Sequence, residues 1–166
     1  MRFLDFTSLD KEYFHYYGFI TKQSFTKFSN NLWLTYLLAI DNANSMFYSK
    51  LMSKIVRCEI RTLSIHGSEN LKFEDFVFLT ESGEVKYLDL KNTKVVKSDN
   101  SVVPIEEIFG QVLKVTYIVL DPCHVTKDTM KVLLSQKREN KFTDFRLENI
   151  DKLLDAKMLI DFINVC

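Results

Sequence analysis

Asp75 and the run Asp89-Leu90-Lys91 are the residues whose types and spacing point to chemistry in this 166-residue sequence. The stretches Phe76–Thr80 and Val85–Leu90 are rich in aromatic and aliphatic residues and flank Glu81-Ser82-Gly83. That pattern predicts a β-hairpin with Gly83 in the left-handed position of a G1 bulge. Thr80 then faces Glu84, Asp75 falls opposite Asp89, and period-two alternation sets Lys91 on the same face. Carboxylates directly across a ladder have Cβ atoms about 5 Å apart and repel each other. A hard divalent cation between them removes the repulsion, and oxygen-only ligands suit Mg²⁺ or Mn²⁺ rather than zinc. Phe76, Phe78, Leu88 and Leu90 supply an inner surface, while Val77, Leu79, Val85 and Tyr87 make the acid-bearing face apolar too. The charged cluster is therefore expected at the edge of a core.

The elements that must position this cluster are read from periodicity. Residues 1–60 read as helical: Ser8 caps a short helix with the stripe Leu9, Tyr13 and Tyr17 and a stop at Gly18, and a longer region runs from Asn30 or Asn31 through Trp33, Leu37, Phe47 and Leu51. Residues 52–65 fit either a helix or a strand. The sheet core spans about 73–120, with a third short strand at Thr93–Val96, a short helix after Pro104 and an apolar strand at Val112–Leu120. Residues 126–165 return to helix, one segment after Thr126 and one carrying Leu147, Ile150, Leu154, Met158, Phe162 and Val165. No internal repeat or Pro/Ser-rich linker is evident. The chain reads as one domain over 1–166, of α+β (α/β-like) class: a small central, mostly antiparallel sheet with a hairpin, flanked by helices from the N- and C-terminal thirds.

Composition narrows the partners. Twenty-two Lys+Arg balance twenty-two Asp+Glu, so no global positive field draws nucleic acid or an anionic membrane, and such binding needs a local patch. The longest apolar stretch, Leu32–Ile40, is far shorter than the roughly 20 residues of a membrane helix. No signal peptide is visible at Met1–Asp5, and Cys58, Cys123 and Cys166 form no CxxC pair, which together suggest a reducing, cytoplasmic setting without structural zinc.

Asp75, followed thirteen intervening residues later by Asp89-Leu90-Lys91, resembles the signature of the PD-(D/E)XK nuclease superfamily, in which an acid opens one strand of a hairpin and (D/E)-x-K lies on the next. The resemblance covers roughly residues 45–120. It implies a metal-dependent endonuclease that hydrolyses RNA or DNA phosphodiesters, with Asp75 and Asp89 as ligands of one or two Mn²⁺ or Mg²⁺ ions, the Leu90 carbonyl as a third ligand and Lys91 as the catalytic residue polarising the attacking water. Glu59 is the candidate for the further acid that such enzymes draw from a preceding helix; a strand there would turn it outward with Arg57 and Arg61. Size, N-terminal helices and hairpin are also similar to the cap-snatching endonuclease domains of segmented negative-strand RNA virus polymerases. That likeness implies single-stranded RNA as substrate, a larger polymerase as partner, and His15 as a candidate helical ligand. Glu74 stands where the family often has Pro, and the helix after Lys91 is short.

Two other readings follow from the residues. A non-catalytic protein-binding module, such as a small inhibitor or immunity-type protein, predicts an exposed patch and no metal affinity. A single-strand RNA binder would stack bases on Tyr13, Tyr16, Tyr17 and Phe19 beside Lys22 and Lys27.

Overall fold

The computed structural model describes residues 14–20, 30–68 and 70–164, the first of these segments by its backbone alone. Eight strands and five helices follow one another among these residues. Strands β1 (Phe14–Ile20) and β2 (Leu32–Asp41) precede helix α1 (Ser45–Met52), and β3 (Ile55–His66) follows it. Then come β4 (Leu71–Lys72), α2 (Phe73–Thr80), β5 (Tyr87–Lys91), β6 (Val95–Val96) and α3 (Ile105–Gln111). Strand β7 (Tyr117–Leu120), α4 (Thr129–Ser135), β8 (Asp144–Leu147) and α5 (Ala156–Asn164) complete the order. The main sheet is six-stranded in the order β1-β2-β3-β5-β7-β8, and β4 pairs with β6 in a second sheet. Every strand pairing in both is parallel.

The mostly antiparallel sheet expected from the sequence is therefore corrected to a parallel α/β arrangement. The hairpin is absent because Phe73–Thr80 is a helix. Phe73, Phe76 and Leu79 recur at intervals of three and pack toward the core, and Glu74 and Asp75 occupy the first turn, where the helix dipole favours carboxylates. Gly83, at φ 66°, donates its N–H to the Thr80 carbonyl and serves as the stop of that helix rather than the bulge of a hairpin. The helical N-terminal third is corrected as well. Residues 14–20, 32–41 and 55–66 are strands, leaving α1 as the helix of that region, while the segment from Ser8 to Tyr13 lies outside the described residues. The strand expected over Val112–Leu120 contracts to β7, and the final helix begins only at Ala156, with β8 before it.

Parallel strands in sequential order mark a coil of repeated turns. Leu38, Leu63, Leu88, Ile118 and Phe145 lie in one row across β2, β3, β5, β7 and β8, at intervals of about 25–30 residues along the chain. Around each the same spacing recurs: Val85-x-x-Leu88-x-Leu90-x-x-Thr93-x-Val95, Val115-x-x-Ile118-x-Leu120-x-x-Cys123-x-Val125, and Ile60-x-x-Leu63-x-Ile65-x-x-Ser68. The interval between apolar positions is the same as in L-x-x-L-x-L-x-x-(N/C)-x-L repeats, with Thr93 and Ser68 standing where those have Asn or Cys, and it sets one strand per turn into a common sheet. An internal repeat is thus present where the sequence alone suggested none.

The turns are locked together past the strand ends. Asn42, Gly67, Asn92 and Asn149 occupy equivalent positions, two residues after the last inward side chain, and all have positive φ near 50–56°. A side chain at Gly67 would be strained by that φ and would put a Cβ 2.7 Å from Asn42 Oδ1. One residue further on, the buried Ser68 and Thr93 hydroxyls accept from the Ala43 and Ser68 N–H groups at 3.2 and 3.3 Å, so each turn satisfies its neighbour's backbone. On the helical side, the buried Glu106 carboxylate accepts from Thr126 and Thr129 hydroxyls at 2.8 and 2.7 Å and ties α3 to the start of α4.

Asp151 provides a similar clamp at the last described turn. Its Oδ1 accepts from the Val125 N–H at 3.0 Å and its Oδ2 pairs with His124 Nδ1. The Val125 amide, with His124 adding to it, holds this carboxyl below its ordinary value of 3.8. A carboxylate so depressed contributes stability above the unfolded value and loses it as pH falls through the folded one. Asp151→Asn is therefore expected to lower the urea midpoint at neutral pH, and the two proteins should converge as the pH drops below the folded value; a gap that persists into acid would contradict the clamp.

Candidate functional site

Side-chain alternation splits the main sheet into two unlike faces. Inward residues Leu34, Leu38, Ile40, Cys58, Ile60, Leu63, Ile65, Leu88, Leu90, Ile118 and Leu120 join one core with Leu51 of α1, Phe76 of α2, Phe109 of α3, Leu133 of α4 and Phe162 of α5. All five helices thus bury their apolar residues on the same side. The residues between them point to the other side, which no described helix covers. Purely parallel sheets usually have both faces covered, which sets apart a face that the described helices leave open.

That face is neither apolar nor uniformly charged. Thr62, Tyr87, Tyr117 and Asp144 form one row across β3, β5, β7 and β8, and Ser64, Asp89, Val119 and Arg146 form the next. The Tyr87 and Tyr117 rings stack with centroids 4.0 Å apart and planes 6° from parallel. Burial pushes the Tyr87 phenol up, with the Tyr117 hydroxyl and the nearby Asp89 charge adding to the effect. Arg146 lies 5.9 Å from the Tyr117 ring and donates to Asp144 Oδ1 and Oδ2 at 3.0 and 2.6 Å. Toward the other end of the sheet, Arg57 lies 4.3 Å from the Trp33 ring and pairs with Glu59, whose Oε2 accepts from Trp33 Nε1 at 3.1 Å.

Between these groups sits a polar cluster. His66 Nε2 is 3.1 Å from both Asp89 Oδ2 and Ser64 Oγ, and Nδ1 is 3.5 Å from Asp41 Oδ1. The residue types suggest a Ser-His-Asp nucleophile, but the geometry opposes one. The nitrogen that would take the Ser64 proton also faces a carboxylate, which demands a donor there, and a ring nitrogen cannot donate and accept at once. The cluster orients side chains on the open face instead.

The residues singled out by sequence are not brought together. Asp75 lies in the first turn of α2, on the helical side, with its carboxyl pushed up by burial. Asp89 points from β5 to the open face, since its neighbours Leu88 and Leu90 are buried in the core with Phe76 and Leu79 of α2. The sheet therefore separates the two carboxylates that were expected to share a cation. Leu90 contributes its side chain to the core, and its carbonyl accepts from the Asp121 N–H at 3.0 Å. Lys91 is exposed at the end of β5. Glu59 sits on a strand, turned outward to Arg57 and Trp33, so the helical placement is corrected. His15 is on strand β1, in register with Trp33, and not on a helix; Tyr16, Tyr17 and Phe19 are on that strand, and Tyr13 lies outside the described residues. Among the described residues no group of three or more His, Cys, Asp or Glu is placed to hold a metal ion. No described helix is long and apolar enough to cross a membrane.

A cleft of about 400 Å³ runs along the C-terminal ends of the strands, lined by Ser68, Asn70, Asn92, Lys94, Asp121 and Asn149. Much of its polarity is structural. Asp121 accepts from the Asn92 N–H at 3.3 Å and from the Asn149 amide at 2.6 Å, continuing the contacts between turns.

Comparison with known proteins returns no matching family model, no similar curated protein and no similar solved structure. The functional reading therefore stands on this geometry. Sequence reasoning missed Tyr87 and Tyr117 as a pair because their strands were not read as neighbours; the repeated spacing Val85-x-x-Leu88 and Val115-x-x-Ile118 would have aligned them.

Proposed function

We propose that this chain is a protein-binding module whose open sheet face receives a partner protein. The observation that carries the reading is the sheet face that no described helix covers, bearing Trp33, Tyr87 and Tyr117 beside Arg57 and Arg146. Trp, Tyr and Arg dominate binding energy at protein interfaces, and solenoids present such extended surfaces as their working face. Holding the rings by stacking and the guanidinium groups by carboxylates lowers the entropy lost on association. The metal-hydrolase expectation depended on Asp75, Asp89 and Lys91 converging, and the sheet between the two acids leaves it without that support.

The test compares the two sides of the molecule. A protein retained by the wild-type chain from its native source should be lost with Arg146→Glu on the open face and kept with Lys131→Glu, an exposed position on α4. Equal retention by both variants, or loss only with the α4 change, would place the interface elsewhere.

A further inference from the structure

The open face twice assembles the same three chemical parts: an aromatic ring, a carboxylate and a guanidinium. Arg57, Trp33 and Glu59 form one set, and Arg146, Tyr117 and Asp144 the other. In each, arginine and acid are two residues apart on one strand, so their side chains share a face. Tyr87 and Asp89 repeat that spacing on β5 and supply a ring and a carboxylate without a guanidinium. Asp89 is only 13% exposed at its side chain, and its Oδ1 is buried with no hydrogen-bond partner, while Oδ2 is taken by His66. Lys91, two residues further on, is exposed and makes no ion pair among the described residues. A buried carboxylate with an oxygen that lacks a donor is costly, and a donor reaching the exposed edge of the Asp89 side chain would offset that cost.

We infer that the Tyr87–Asp89 position is the receptor for an arginine side chain of the partner protein, an assignment that rests on the open-face reading above. The guanidinium stacks against the Tyr87–Tyr117 pair and donates to Asp89, completing the third set. Arginine suits this position better than lysine because a planar fork can meet a ring and a carboxylate together, whereas an ammonium is a strongly hydrated point charge.

The probe is a random peptide library displayed on phage and selected against the whole chain. Binders abolished by Tyr117→Ala should carry an arginine. Replacing that arginine with Gln should weaken binding to the wild-type protein about tenfold and binding to Asp89→Asn very little, because the interaction is already gone there. Tyr87→Leu, which keeps bulk but removes the ring, should reduce the arginine dependence independently of Asp89. Open-face binders without arginine, an Arg→Lys change in the peptide without loss, or an equal Gln penalty on both proteins would overturn the arginine receptor while leaving the open face intact. Failure to select binders, or binders indifferent to Tyr117→Ala, would overturn both.

Discussion

Leu63→Ala is expected to remove about 3–5 kcal/mol of folding stability, a large part of the about 5–15 kcal/mol that a domain possesses. Leu63 is fully buried at the middle of the sheet and lies in register with Leu38 on one side and Leu88 on the other. Its truncation leaves a cavity that two neighbouring strands and the helices beneath cannot close without breaking the ladder. With a urea slope of about 1–3 kcal/mol per molar, the midpoint should fall by 1 M or more. Ser64→Ala, one residue along and on the opposite face, removes a single hydroxyl contact to His66 and should cost within about 1 kcal/mol. The contrast between adjacent positions tests the alternation on which the two-faced sheet depends. Similar losses from both variants would mean that the Ser64 side is also packed, and the open face would be misassigned.

Some of the fold was legible in the residues and some was not, for identifiable reasons. Pro104 precedes α3 with two glutamates in its first turn, a local signal that puts the helix where the sequence predicts it; α1, capped by Asn44 through a bond from the Phe47 N–H, is only the last part of the longer helix that the sequence predicts from Asn30 or Asn31. Segment 73–80 was misread because Phe, Val and Thr are good strand formers, while the parallel topology requires a connection that crosses back over the core. Tertiary demand decided between two patterns that the sequence carries together. Strand β2 failed in the opposite way: Leu32, Trp33, Leu34, Leu37 and Leu38 satisfy helical spacing, and two shifts in its register against β3 disrupt the alternation that would have exposed it as a strand. A hairpin sets Asp75 opposite Asp89 by arithmetic alone, so the helix at Phe73–Thr80 is by itself enough to put Asp75 on the other side of the sheet. The global signal lay in the spacing around Leu63, Leu88 and Ile118, where a repeat is visible only if its interval is allowed to vary.

Replacing both stacked tyrosines, Tyr87→Ala with Tyr117→Ala, is expected to weaken partner binding about 100-fold or more while the chain stays folded. Each ring is only partly buried, so the stability at risk is the stacking contribution of about 0.5–1.5 kcal/mol and some apolar contact, well short of a core truncation. Binding stands to lose more, because interface hot spots commonly contribute 2 kcal/mol or more each and cluster where rings are already held in place. The two rings form one platform with Arg146 at its far side, so their losses should not add. Tyr117→Ala alone should account for most of the effect, since that ring contacts both Tyr87 and the guanidinium, and the second change should add little. Titration calorimetry against the retained partner, with urea unfolding of each variant alongside, separates affinity from stability. Leu134→Ala, at a partly exposed position on α4, supplies the matched loss of apolar surface on the helical side and should leave affinity unchanged. If the tyrosine pair and Leu134 proved equally dispensable, aromatic content on the open face would have no bearing on recognition, and the rings would serve only to hold β5 and β7 together.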